Sequence, residues 1–256
     1  MKDYLLFRLY GALASWGDIA IGDIRPSYRY PSKSAIIGLI AAAIGIKREE
    51  QDKQTELAKL QFAVRIDAVG VPLDDYHTIQ APSEQAIKAD RAKDYWTRID
   101  EIEAIKLRVV ESQSSAEAGA IQSRRTYLCD AVYTVCLSED ENNKVNWQTL
   151  EINALENIMP FLMSPRFVLY LGRKSCPLGL PLEPQMNQAE NCRTAFQTAN
   201  FKLEDVLKTI LSTTTIRQCY SQELTENSKM KVMRRDQPVN RAAWQFSERD
   251  EYYFSE

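Results

Sequence analysis

Histidine is nearly missing from this sequence: His77 is the only one in 256 residues. One imidazole cannot build a histidine-based metal centre, and Cys129, Cys136, Cys176, Cys192 and Cys219 form no CxxC pair and no zinc spacing. No structural metal and no cofactor are expected. The odd cysteine count also fits a disulfide framework poorly and suits a reducing cytosol, so the expected location is cytoplasmic. Long apolar runs are missing too. The longest, Ala35 to Ile46, is well short of the roughly 20 residues of a membrane-spanning helix. The N-terminal MKDYLLFRLYGAL carries Arg8 inside its apolar run and lacks a signal-peptide core. Neither membrane insertion nor export is expected. There is no excess of one charge either, since the formal net charge is -3. That argues against a protein coated in nucleic acid but leaves room for a local basic track.

What is present is an ordinary soluble composition, 45% hydrophobic and 26% charged, enough for one large domain or two small ones. One stretch concentrates charge of a single sign. RPSYRYPSKSAIIGLIAAAIGI, from Arg25 to Ile46, feeds a basic, hydroxyl-rich loop into an apolar helix. Arg25, Arg29 and Lys33 are three cations with no acid among them, and Ser27, Ser32 and Ser34 can donate to phosphate oxygens. Ser32 is an N-cap candidate, and Pro26 and Pro31 bias the preceding residues towards extended backbone. The helix start would then turn free N–H groups and a positive dipole end towards an anion. The plain alternative is a serine-capped helix with solvated cations.

The order of elements suggests the fold. Tyr4 to Tyr10 reads as a strand closed by Gly11. The helix from about Lys33 ends near Gly45, with Gly38 implying a close packing contact. LQFAVRIDAVGV reads as a second strand, alternating at Phe62, Val64 and Ile66 and ended by Pro72. RRTYLCDAVYTVCL reads as one long third strand, alternating through Tyr127, Cys129, Ala131, Tyr133 and Val135. WQTLEINALENIMPFL has Leu150, Ala154 and Ile158 at helical spacing and is limited by Pro160; a fourth strand follows at about Arg166 to Leu171. This is an α+β chain in the split β-α-β order of a ferredoxin-like or RRM-like domain over residues 1-176. An insertion at about 78-123 separates its halves, part helical around Ala86, Ala89 and Ala92, with Ile105 to Val110 as one arm of a ribbon. Residues 177-256 read as a small, mostly β C-terminal unit, with strand-like pieces near Thr215 to Tyr220, Lys229 to Arg234 and Tyr252 to Phe254.

Several collinear blocks together resemble a known family: LLFRLYGALASWG, the basic stretch and its helix, DYHTI, RRTYLCDA, YLGRKSCPLGLPL and RRDQPVNR followed by an aromatic strand. They are similar to the Cas-five family of CRISPR effector complexes, the CasD subunits of type I-E Cascade within the RAMP superfamily. The resemblance implies an RRM-like domain with a protruding thumb, which maps onto the insertion, and a small C-terminal sheet. It also implies binding and capping of the 5-prime handle of the guide crRNA during antiviral defence. Contacts with the Cascade backbone subunit and the large PAM-recognising subunit are implied as well. The sheet lacks the aromatic RNP signature, so loops rather than the sheet face must carry RNA.

Under that resemblance Arg25, Ser27, Arg29, Ser32, Lys33 and Ser34 are RNA-contact candidates through phosphates that fix register. Arg124 and Arg125, where the thumb returns to the sheet, are RNA contacts or a charged strand end. Arg173, Lys174 and Ser175 follow Gly172, which permits a tight turn beside an anion. Trp16, Tyr28 and Tyr30 could stack on splayed bases but fit core positions better. Cys129 and Cys176 read as packing residues. A competing reading is a metal-independent endoribonuclease that processes repeat RNA, with His77 and Tyr76 or Tyr28 as acid and base. The family resemblance assigns processing to a separate subunit, so no enzymatic activity is expected.

Overall fold

A computed structural model describes residues 1-18, 20, 22-82, 99, 118-212, 214, 216-225 and 228-256. In chain order the strands are β1 (Lys2–Tyr10), β2 (Leu13–Ala14), β3 (Trp16–Gly17), β4 (Ile24–Arg25), β5 (Ser27–Tyr28), β6 (Gln61–Ala68), β7 (Val71–Pro82), β8 (Ala118–Cys129), β9 (Val132–Ser138), β10 (Gln185–Ala189), β11 (Gln218–Ser221), β12 (Met230–Asn240) and β13 (Gln245–Ser255). The α-helices are α1 (Lys33–Ile44), α2 (Gln51–Ala58), α3 (Met159–Met163), α4 (Cys192–Thr198) and α5 (Glu204–Leu211). The chain divides into two compact units. The larger holds 1-18, 27-73 and 127-256, and the smaller holds 19-26 and 74-126.

The larger unit is built on a seven-stranded sheet in the order β10-β1-β9-β6-β11-β13-β12, every neighbour antiparallel. Its central strands are buried on both faces, largely by apolar side chains, with Arg8, Arg65, Asp67 and Thr134 as buried exceptions. Leu5, Phe7 and Leu9 of β1 join Phe62, Val64 and Ile66 of β6 and the apolar side of α1 in the main core. Tyr4 and Leu6 point the other way, with Ala63, Cys136, Cys219 and Phe254, against Ala195 and Phe196 of α4. The period-2 alternation of a strand sorts these residues between the two cores.

Helix α1 follows local sequence. Ser32, in extended backbone, caps it by accepting from the Ala35 N–H through Oγ at 3.1 Å. Gly45 closes it at φ 93°, donating its N–H to the Ala41 carbonyl. A side chain at Gly45 would also strike Arg166, whose Cδ lies 2.5 Å from the Cβ position. Gly38 has its close contact too, with Arg241 Nη2 2.8 Å from where a Cβ would stand.

Four expectations about elements are corrected. Arg166 to Leu171 is not a strand, because the N–H groups of Arg166 and Phe167 bond the Ala43 and Ala42 carbonyls at the C-terminal turn of α1. The sheet position beside β1 is taken by β10. Pro160 does not limit a helix but starts one, in the first turn of α3, where its missing N–H costs nothing. Residues 147-154 upstream form turns. The long third strand is broken at Asp130, which adopts φ 53°, into β8 and β9. Pro72 sits inside β7 rather than ending β6, the reversal being made at Gly70 with φ 74°. The boundary anticipated near residue 177 falls within the larger unit, and β10 to β13 extend the same sheet as β1. Most of the anticipated insertion, including Ala86, Ala89, Ala92 and Ile105 to Val110, lies outside the described residues, as does Thr215. No helix among the described residues is long and apolar enough to cross a membrane.

Candidate nucleic-acid interface

In the smaller unit β4 pairs in parallel with β8, placing Ile24 opposite Arg124 and Arg25 opposite Arg125. The Arg124 N–H bonds the Asp23 carbonyl at 3.0 Å. Three arginines thus occupy neighbouring positions on two paired strands, with Arg25 and Arg124 exposed and Arg125 half-buried. Registered side chains share a face, so Arg25 and Arg125 lie side by side. The Arg25 guanidinium donates to the Gly22 and Ile24 carbonyls, which holds it against its own turn. His77, on β7, pairs through Nδ1 with Asp75 at 2.9 Å and is exposed.

In the larger unit the basic stretch divides sharply by burial. Arg29 is exposed, and among the described residues no carboxylate pairs with it, while its carbonyl accepts from the Tyr133 hydroxyl at 3.0 Å. Lys33 is 2% exposed and therefore closed to a phosphate, against the sequence expectation. Burial pushes its ammonium down to about 7, and the Arg249 guanidinium pushes the same way, while Asp236 opposes. The helix start itself is already filled. The Lys33 N–H donates to Asp236 Oδ2 at 2.8 Å, and Ser32 bonds Ala35 and Ile36. The anion drawn to this helix N-terminus is the chain's own Asp236.

The serines are engaged as well. Ser27 Oγ accepts from the Trp16 N–H at 3.0 Å and donates to the Tyr28 carbonyl, locking β3 to β5. Ser32 and Ser34 share a hydrogen bond between their hydroxyls at 3.0 Å and remain half-buried. Trp16 and Tyr30 are core residues, as the plainer reading held. Tyr28 is half-buried beneath the Arg234 guanidinium, which lies 3.9 Å from its ring centroid and 4.5 Å from that of Tyr30. Tyr30 in turn stacks on Tyr220 with centroids 4.0 Å apart.

A second basic element comes from Leu171 to Cys176, a tight reversal closed by Leu171 N–H to Cys176 C=O at 2.7 Å. Its shape depends on Gly172, at φ 85°, where a Cβ would sit 1.9 Å from the Ser15 carbonyl oxygen. Arg173 is half-buried, its guanidinium 5.0 Å from the Tyr127 ring centroid, and Lys174 and Ser175 project into solvent. Cys176 is buried, whereas Cys129 is half-buried.

One feature was invisible from the sequence. Arg234 and Asp236 on β12 and Arg249 and Glu251 on β13 form a buried charged network around the start of α1. Arg249 holds Asp236 at 2.5 and 3.0 Å and Glu251 at 2.5 Å, and the Tyr30 hydroxyl donates to Glu251. Desolvation and Glu251 drive the Tyr30 hydroxyl far above its ordinary range, so it stays a donor. The usable signal was opposite charge at i and i+2 on one strand face, in RRD and again in RDE.

Comparison with known proteins gives the family and the fold. Residues 4-251 match the model of a family described as CRISPR-associated protein (Cas_Cas5). The Cascade subunit CasD of the CRISPR system of Escherichia coli (strain K12) is 31% identical over 261 aligned positions, covering 98% of this chain and 96% of that protein. A chain of a CRISPR RNA-guided surveillance complex is 22% identical with a TM-score of 0.59, over 99% of this chain and 89% of that one. A crystal structure of a Cas protein gives 23% and 0.53, over 99% and 93%. The mixed α/β architecture with its antiparallel sheet is therefore the same fold.

Proposed function

Since the chain belongs to the CRISPR-associated Cas5 family, we propose that it is a Cascade subunit that binds and caps the 5-prime handle of the guide crRNA. It contacts the backbone subunit and the large PAM-recognising subunit during assembly and works in the cytoplasm. The observation that carries this reading is the β4–β8 pairing, which sets Arg25, Arg124 and Arg125 on neighbouring positions in the manner of a phosphate track. The larger unit, taken by itself, offers RNA the exposed cations Arg29 and Lys174 and the Gly172 turn with Arg173. Lys33 and Ser27 take no part. The order β10-β1-β9-β6 supports reading the first four strands of the seven-stranded sheet as a ferredoxin-like core, the fourth in sequence lying beside the first and the third beside the second.

In this role the protein holds RNA without cleaving it. The test uses RNA carrying the handle from the cognate repeat. Replacing Arg25, Arg124 and Arg125 by glutamate lowers affinity and flattens its salt dependence, by about 0.7 in the log–log slope for each single-strand phosphate that the variant no longer neutralises. Unchanged affinity and slope in a folded triple variant would overturn the assignment.

A further inference from the structure

A second surface of the larger unit lies at the opposite end of α1 from the capped start. It comprises the turn between β12 and β13, the residues after Gly45 and the segment following α3. Three arginines meet there without a carboxylate in ion-pair distance among the described residues: Arg48, Arg166 and Arg241. Arg48 and Arg241 both lie on the Trp244 indole, 4.6 and 5.6 Å from its centroid, so two like charges share one ring. Arg241 is pressed against Gly38 of α1, and its backbone N–H is held by Gln51. Burial and the neighbouring Arg48 both disfavour its charge. Trp244 itself adopts φ 53°, a conformation unusual for a bulky residue, and is 58% exposed.

The same face carries apolar side chains that water does not favour. Val168 is 83% exposed and Met163 66%, with Phe167 and Val239 also open. The hydrogen bonds of Arg166 and Phe167 to Ala43 and Ala42 fix this segment against the end of α1, and Gln51 of α2 bonds the Val239 carbonyl, so both segments are anchored beside the same helix end. Exposed tryptophan and arginine set among apolar side chains is the composition of a protein interface centre. A nucleic-acid backbone would satisfy the arginines but offers nothing to Val168, Met163 and Val239.

We propose that this face docks a protein partner through a segment in which aspartate or glutamate carboxylates flank an apolar side chain. The carboxylates pair with Arg48, Arg241 and Arg166, and the apolar residue seats against Trp244 and Val168. The inference rests on the proposed Cascade membership for the identity of the assembly, but it concerns a different surface from the RNA track. It is tested in the complex purified through this chain from its own host, with a photo-crosslinking amino acid at Val168 and, separately, at Trp244. Mass spectrometry then identifies the crosslinked species. The expected product is one protein peptide carrying two or more acids beside an apolar residue. A crosslink to RNA, to a peptide without acids, or to nothing overturns the proposal.

Charge reversal provides the second arm. The double variant Arg48→Glu with Arg241→Glu is expected to weaken partner binding roughly a hundredfold. Exchanging the crosslinked acids for lysine should restore it, and handle-RNA affinity should stay unchanged. Should that variant misfold, Val168→Asp serves, placed on an exposed side chain that the fold does not need. Normal assembly by a folded Val168→Asp protein would likewise refute the docking site. Loss of RNA binding with normal partner docking would instead count against the Proposed function alone.

Discussion

Replacing Lys33 by methionine separates the two readings of the basic stretch, because it removes a charge that the fold has buried rather than displayed. A lysine titrating at about 7 in the native state and near 10.4 when unfolded makes stability depend on pH. Between those values the unfolded chain binds more protons than the folded one, so stability rises as pH increases from about 7 towards 10, and below about 7 the full cost remains. With each pKa unit equivalent to 1.36 kcal/mol, the ceiling is about 5 kcal/mol, and relaxation of the surroundings reduces what is realised. Methionine has nearly the same length and no charge to desolvate. Lys33→Met is therefore expected to raise unfolding free energy by about 2 kcal/mol at pH 6, and its advantage should shrink towards pH 9. The assay is urea denaturation of both proteins at pH 6, 7, 8 and 9. Reading the difference matters, because the buried thiols of Cys192 and Cys219 are pushed up and lower stability above about pH 8.5 equally in both. Handle-RNA affinity should not change. A variant less stable at pH 6, a difference independent of pH, or a large loss of RNA affinity would refute the placement of Lys33.

Three shorter expectations follow from the same geometry. Gly172→Ala forces a Cβ into the Ser15 carbonyl at a positive φ and should cost about 3 kcal/mol or more, lowering the melting temperature and, under the proposed function, weakening handle-RNA binding. Asp236→Ala strips the Lys33 N–H of its acceptor and leaves Arg249 and Arg234 short of a carboxylate; a loss of about 3-5 kcal/mol in denaturant unfolding is expected, while the isosteric Asp236→Asn should retain part of it. Incubation with cognate repeat RNA in the absence of metal should leave the RNA intact, and cleavage that disappears in His77→Ala would make the chain a nuclease.

What could be read from the sequence was what is local. Helix α1 was legible to its last residue because Ser32, the apolar run and Gly45 act within one segment. β1 and β6 were legible because alternation sorts their side chains between two cores. The fourth strand was misplaced because Arg166 to Leu171 has the composition of a strand, yet its N–H groups are claimed by the end of α1, more than a hundred residues earlier. Lys33 failed for the same reason at greater range, since Asp236, the acid that organises its surroundings, is 203 positions away.

That failure bears on how a cation in a matching block should be read. The arginines of RRDQPVNR look as much like phosphate ligands as those of RPSYRYPSK, but Arg234 has an acid two residues on, on the same strand face, and its side chain is only 10% exposed beside the buried Asp236. Arg65 with Asp67 and Arg249 with Glu251 repeat the pattern, each pair in hydrogen-bond contact and almost fully buried. An opposite charge at i+2 on a strand lets the pair neutralise itself, so it can enter a core, whereas a cation without one stays in water unless a carboxylate from elsewhere in the chain, or an external anion, meets it. Arg29, Arg124, Arg125 and Lys174 have no acid at i±2, and none of them is buried. Lys33 escapes the rule because its acid arrives from β12 rather than from its own segment. Arg8 of β1 escapes it in the same way, 4% exposed with no acid at i±2 and met by Asp67 and Glu204, and Arg25 stays exposed although Asp23 stands two residues before it, so the rule fails wherever a distant carboxylate reaches a cation or a local one does not hold it in.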